Sequence, residues 1–262
     1  MNEKESVLHQ FGKNAEKYVT SKIHAKGNDL AMVVEIAREN QSGDLLDIAT
    51  GGGHVANALA PLFTNVVALD LTPEMLETAK KFITSNGHTN VSFIQGDALN
   101  LPFPNQTFGT VTCRIAPHHF PNVSQFIKEA FRVLKDNGLF ILVDNVAPEL
   151  DEYDHFYNFV EKKRDPSHVR AYKKSEWIAY LEKEGFTIQT FSTFKKTFNF
   201  DVWCEMMDVP QQDKEELNAY MNSTSKNLQQ HFSIELLNGQ VQSFQGQSML
   251  LVASKGETHY TI

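Results

Sequence analysis

Residues 45–53 read Leu-Leu-Asp-Ile-Ala-Thr-Gly-Gly-Gly. An apolar run carrying one acid, Asp47, hands over to three consecutive glycines, and HVANALAPLF (54–63) follows with helical spacing. Glycine costs backbone entropy on folding. Three in a row belong where the chain bends sharply or where another group comes close to its backbone. A strand, a glycine turn and a helix N-terminus, in that order, aim backbone amides at a ligand.

The alternation continues outward. NVVALDL (65–71) reads as a second strand, Thr72 caps the helix PEMLETAKKFITSN with Pro73 at its first position, and Gly87 stops it. NVSFIQGD (90–97), FGTVTCRIA (108–116) and LFILVDN (139–145) are further strands, with a helix over 123–135. Strands alternating with helices predict an α/β fold, a parallel sheet with helices on both faces. Residues 3–20 and 26–39 read as helices upstream. Beyond 146 the rhythm changes. Residues 149–163 form an aromatic-rich helix, RDPSHVR (164–170) a connector, 174–186 a helix, 187–195 a strand and 201–230 a mostly helical polar stretch. FSIELL (232–237), the Asn238-Gly239 turn and a strand to about 254 make a closing hairpin.

The 262 residues, 41% hydrophobic and 21% charged, suit one generous domain or a domain with a cap. A net charge of −8 and only short basic runs argue against a nucleic-acid partner. Cys113 and Cys204 stand far apart with no CxxC pair, so no metal site or disulfide framework is expected, and reduced thiols suit a cytoplasmic protein. The polar start is no signal peptide, and no apolar stretch approaches the roughly 18 residues of a membrane span.

Gly51-x-Gly53-x-x-Ala56, with Asp70 downstream, fits a dinucleotide fingerprint. Three features shift the balance: Asp47 inside the motif; the stretch Gln95–Phe103 with Asp97, Ala98 and Leu99; and Phe108–Arg114 leading to His118-His119-Phe120, followed by Arg132-Val133-Leu134-Lys135-x-x-Gly138. Together with Asp70-Leu71-Thr72-Pro73-Glu74-Met75-Leu76, these resemble the class I S-adenosylmethionine-dependent methyltransferases over about residues 40–146. The nearest branch acts on small molecules, as in ubiquinone and menaquinone biosynthesis.

The resemblance implies a Rossmann-like, doubly wound, mostly parallel seven-stranded sheet with an antiparallel last strand. It implies a helical cap (1–40), a cofactor-binding core (41–146), lid or substrate insertions (147–172 and 196–235) and sheet completion (173–195 and 236–255). Asp47, Ala49, Thr50, Gly51, Gly52 and Gly53 would lie under the amino acid part of S-adenosylmethionine, Ala49 standing where the family has its first glycine. Asp70 would accept the ribose hydroxyls, with Leu71 and Met75 against sugar and adenine. Asp97, Ala98 and Leu99 would meet the adenine, and Arg114 would border the methyl group. The chemistry agrees. A ribose diol offers two donors to one carboxylate. Asp47 suits an amine and a sulfonium better than a pyrophosphate, which it would repel.

Methyl transfer is an in-line displacement that needs alignment and exclusion of water, and a base only where the nucleophile enters protonated. His118 and His119, just beyond the fourth strand, are the catalytic candidates. Asp144 and Asn145 close the fifth strand, His24 lies in the N-terminal cap, and His168 and Arg170 lie in the connector; these are candidates to touch the acceptor. The expected partner is a small-molecule methyl acceptor, the product S-adenosylhomocysteine, and the closing strands are compatible with a homodimer. Two other readings stand beside this one. An NAD-dependent oxidoreductase would use Tyr18-x-x-x-Lys22, but this pair precedes the glycine loop. A non-catalytic module would bind the cofactor without turnover.

Overall fold

The apolar run around Asp47 becomes β1 (Leu45–Ile48), buried at all four positions. The computed structural model describes Glu5, Leu8, residues 27–40 and residues 43–256. The further strands are β2 (Val66–Asp70), β3 (Val91–Gln95), β4 (Phe108–Arg114), β5 (Leu134–Val146), β6 (Phe186–Asn199), β7 (Glu235–Leu237) and β8 (Gln240–Lys255). They form one sheet in the order β3-β2-β1-β4-β5-β8-β6. The first five are parallel, and β8 runs antiparallel between β5 and β6. The short β7 pairs with β8 through the Asn238-Gly239 turn and adds an eighth strand to the seven expected.

Helices cover both faces. The side-chain period of two sends Leu46 and Ile48 to one face and Leu45 to the other. On the Leu45 face lie α1 (Asn28–Glu39), α2 (His54–Leu59) and α3 (Pro73–Ser85), which contribute Val33, Ala37, Leu59, Ala79 and Ile83. On the Leu46 face, α4 (Val123–Val133) buries Phe126, Ile127, Ala130 and Val133 beside Trp177 and Leu181. A third cluster joins α5 (Asp151–Arg164) to later helices and to β8 through Phe156, Tyr157, Trp203, Leu217 and Phe244. Of the aromatic run, Phe156 and Tyr157 are buried, while Phe159 is exposed. Trp177 and Leu181 belong to α6 (Lys174–Glu184).

Several boundaries differ from the sequence reading. α2 stops at Leu59 and a 3-10 turn takes over at Ala60–Leu62, because Pro61 offers no N–H to continue the α-helix. Thr72 occupies the N-cap position of α3 without a side-chain capping bond; its N–H instead donates to Asp70 Oδ1 at 2.9 Å. β6 runs on to Asn199 because its pairing with β8 continues to Ser243. The polar stretch 201–230 breaks into α7 (Phe200–Glu205), α8 (Gln211–Ser223) and α9 (Lys226–His231), Pro210 preceding the second. The helix expected over 3–20, with Tyr18 and Lys22, lies outside the described residues apart from Glu5 and Leu8. No helix among the described residues is long and apolar enough to cross a membrane.

Candidate active site

Strand order reverses between β1 and β4, so the loops leaving the carboxyl ends of β1 to β4 converge. They line a cavity that opens to solvent. Of the residues expected to hold the cofactor, Asp47, Ala49, Thr50, Gly51, Gly52, Asp70, Leu71, Met75, Asp97, Ala98, Leu99 and Arg114 all line it. Gly53 does not. Its φ is +83°, and a Cβ there would stand 2.9 Å from Ile83 Cδ1 and 3.0 Å from Ala79 Cβ. Gly53 lets α2 pack against α3, and the expectation that it approaches a ligand is corrected.

The turn after β1 is held from two sides. Gly51 (φ +55°) donates its N–H to Asp70 Oδ2 at 2.8 Å, and Asp70 thereby ties the β1 loop to the start of α3. Burial raises the Asp70 pKa against the opposing pull of these amides. Asp47, 1% exposed, accepts from Thr50 Oγ1 at 2.6 Å and Thr112 Oγ1 at 2.8 Å. Burial outweighs those bonds and pushes Asp47 up to about 6. Ala49 adopts φ +53°, the left-handed conformation for which the family's glycine is suited. Ile115, directly after β4, adopts φ +54°, which is strained for a β-branched residue.

The loop after β3 is clamped by residues of α4. Asp97 Oδ1 accepts from Leu99 N at 2.9 Å, and Leu101 N donates to Glu129 Oε2 at 2.8 Å. Arg132 pairs with Glu129 at 2.7 Å and donates to the carbonyls of Leu101 and Phe103. The arginine of the Arg132–Gly138 motif therefore secures the Asp97–Leu99 wall. Glu129→Gln is expected to destabilise the chain by about 2–3 kcal/mol, since it leaves a hydrogen-bonded guanidinium without its counter-charge. Urea unfolding measures this, and a change below about 0.5 kcal/mol would refute the clamp.

Beyond β4, Arg114 Nε donates to Asp29 Oδ2 of α1 at 2.8 Å, and Asp29 is 2% exposed. Arg114 thus borders the cavity as half of a buried ion pair, which the sequence reading lacked. Burial opposes ionisation of Asp29, but the Arg114 hydrogen bond and charge prevail and lower its pKa.

The 3-10 turn Pro117–His119 presents two buried histidines with ring centroids 4.1 Å apart. His118 Nδ1 lies 2.6 Å from Asp144 Oδ1, and Asp144 is fully buried. Burial would lower the His118 pKa; the charge and hydrogen bond of Asp144 reverse this and raise it. His119 Nδ1 lies 3.2 Å from Ser167 Oγ, and burial, followed by the His118 charge, lowers it to about 4. The connector 164–170 fixes this turn: Val169 N and Arg170 N both donate to His118 O.

A second cavity, also open to solvent, is lined by both histidines. Ile115 and His119 line both cavities; His118, Asn145, His168 and Lys196 line the second. His168 Nε2 lies 2.9 Å from Asn158 Oδ1, and burial lowers its pKa to about 2, which leaves a neutral ring. Asn145 Oδ1 accepts from Ser248 Oγ. Two expectations about the acceptor are corrected. Arg170 lines neither cavity, because Asp154 and Glu176 hold its guanidinium at 2.9 and 3.2 Å. Asp144 also lines neither and reaches the site through His118. His24 lies outside the described residues.

A family model described as a methyltransferase domain matches residues 46–142. The uncharacterized methyltransferase YcgJ of Bacillus subtilis (strain 168) is 37% identical over 246 residues, 94% of this chain and 97% of its own. Its crystal structure matches with a TM-score of 0.85, over 88% of this chain and 99% of that one. The solved structure of BH2331 from Bacillus halodurans C-125 matches with a TM-score of 0.86 at 49% identity, over 88% and 100% of the two chains. A demethylmenaquinone methyltransferase of Listeria monocytogenes serotype 4a is 26% identical over 196 residues, 69% of this chain and 81% of its own. With these relatives and the site geometry, the chain belongs to the class I S-adenosylmethionine-dependent methyltransferases and resembles their quinone-biosynthesis branch.

Proposed function

We propose that the first cavity holds S-adenosylmethionine and that its methyl group passes to a small molecule in the second. The carrying observation is the shared wall: Ile115 and His119 line both cavities. The first cavity fits the cofactor. Asp70 lines this cavity, accepts the N–H groups of Gly51 and Thr72, and would accept the ribose hydroxyls as well. Gly51 has no atom within 4 Å of where a Cβ would stand, which leaves room for the amino acid part. Asp97, Ala98 and Leu99 would border the adenine.

When bound, the cofactor supplies an electrophilic methyl group on a sulfonium. This chain's residues align the acceptor, exclude water and take its proton. Asp70, Asp97 and the Gly51–Gly52 turn would hold the cofactor so that its methyl group is presented to the acceptor atom. A proton on that atom leaves to His118, whose Nδ1 is engaged by Asp144, so that Nε2 is the ring nitrogen left to receive it. His119 shapes the passage between the cavities.

Titration calorimetry with S-adenosylmethionine, S-adenosylhomocysteine and NAD tests the reading. Micromolar binding of both adenosyl compounds without binding of NAD is expected. Binding of NAD alone would return the glycine loop to the dinucleotide class.

A further inference from the structure

Lys196 lies on β6, in register with Gly246 of β8, and lines the second cavity. It is half-buried. Among the described residues its ammonium makes no hydrogen bond or ion pair; Nζ lies 5.6 Å from the centre of the Phe194 ring. The acids that line this cavity or act on Lys196 are engaged elsewhere. Asp29 pairs with Arg114 at 2.8 Å, Asp144 with His118 at 2.6 Å and Glu161 with Arg164 at 3.4 Å, while Asp165 accepts from Ser167 Oγ at 2.6 Å.

Withdrawing an ammonium from water is costly unless an anion meets it. Burial lowers the Lys196 pKa despite the negative charge of Asp29, and Arg114 lowers it further. Phe198, Trp203, Met206 and Met207 give the same cavity an apolar, soft lining. Arg164 covers the Trp203 ring at 4.7 Å and already has Glu161 as its counter-charge. A cationic amine entering here would meet the Lys196 ammonium, whereas an anion would supply its counter-charge.

We propose that Lys196 anchors the methyl acceptor, and that the acceptor carries an anionic oxygen (carboxylate, phenolate or enolate) on an apolar body that lies against Phe198, Trp203 and Met207. This rests on the two-cavity reading above. It adds the substrate's charge and names a specificity-determining residue from a strand at the far edge of the sheet.

The test uses the full chain saturated with S-adenosylhomocysteine and three probes of one shape: benzoate, benzyl alcohol and benzylamine. Calorimetry is expected to show benzoate binding at least about tenfold more tightly than either other probe. Lys196→Met should bring benzoate to within about twofold of benzyl alcohol, and Lys196→Arg should restore most of the preference. Equal binding of benzylamine and benzoate, unchanged benzoate binding in Lys196→Met, or no benzoate binding below about 10 mM would each overturn the proposal. Failure of the wild-type chain to bind S-adenosylhomocysteine would overturn the two-cavity reading, and this proposal with it. Intact binding of that compound without a benzoate preference overturns the proposal alone.

Discussion

Asp70→Ala is expected to weaken S-adenosylmethionine binding by about 100-fold or more. Two losses combine. Charge-assisted hydrogen bonds to the ribose hydroxyls, each worth about 1.5–3 kcal/mol, disappear. The N–H groups of Gly51 and Thr72 lose their shared acceptor, and the β1 loop loses its tie to α3. Together these exceed the roughly 2.7 kcal/mol that corresponds to 100-fold. Asp70→Asn separates the two. Its amide oxygen can keep one backbone N–H, but its NH₂ would face the other donor and it carries no charge. Calorimetry gives the affinities and urea unfolding the structural cost. A loss of affinity below about threefold in the alanine variant would remove Asp70 from the cofactor site.

The contrast between Asp70 and Asp29 shows what the sequence made legible. Asp70, Asp97 and the glycines sit in short loops directly after strands, where local spacing places them. Asp29 reaches Arg114 across 85 residues, and only the packing of α1 onto the sheet brings them together. A signal existed. Asp29, Val33 and Ala37 fall at intervals of four on the buried stripe of α1, and an acid on such a stripe needs a partner. Glu129 carries the same signature in α4, between Phe126 and Val133, and its partner Arg132 opens the Arg132–Gly138 motif. Gly53 was read from its motif position toward a ligand, but helix packing claims it. Lys196 was hidden more deeply. It lies on β6, whose extension past residue 195 follows from its long pairing with β8 rather than from its own pattern. His118 and His119 were visible as a pair, while their division of labour depends on Asp144, Asp165 and Ser167, all distant in the chain.

That division makes Asp144→Asn the sharpest probe of the histidines. Burial alone would keep the His118 ring neutral, as it does His168, and the Asp144 charge and hydrogen bond reverse this. In the asparagine variant burial remains and the charge goes, so the His118 pKa is expected to fall below the ordinary histidine value near 6.5. His119, held at about 4 by burial and then by the His118 charge, should rise as that charge is lost. Opposite movements of two adjacent rings in an NMR titration are not produced by general loosening of the site. Stability follows with a definite sign. A histidine whose folded-state pKa is raised stabilises the fold fully below its unfolded pKa, and that contribution is lost as pH rises through the folded value. The variant should therefore be less stable than the parent at pH 5, by about 1–2 kcal/mol. The deficit should shrink or reverse above the His118 pKa, where the parent keeps Asp144 fully buried with no hydrogen bond to Oδ2 among the described residues. Methyl transfer to a protonated acceptor should fall by about 10²–10⁴, the usual worth of a general base. An unchanged His118 titration in Asp144→Asn would dissolve the pair as a functional unit and leave His119, which with Ile115 lines both cavities, as the group to test.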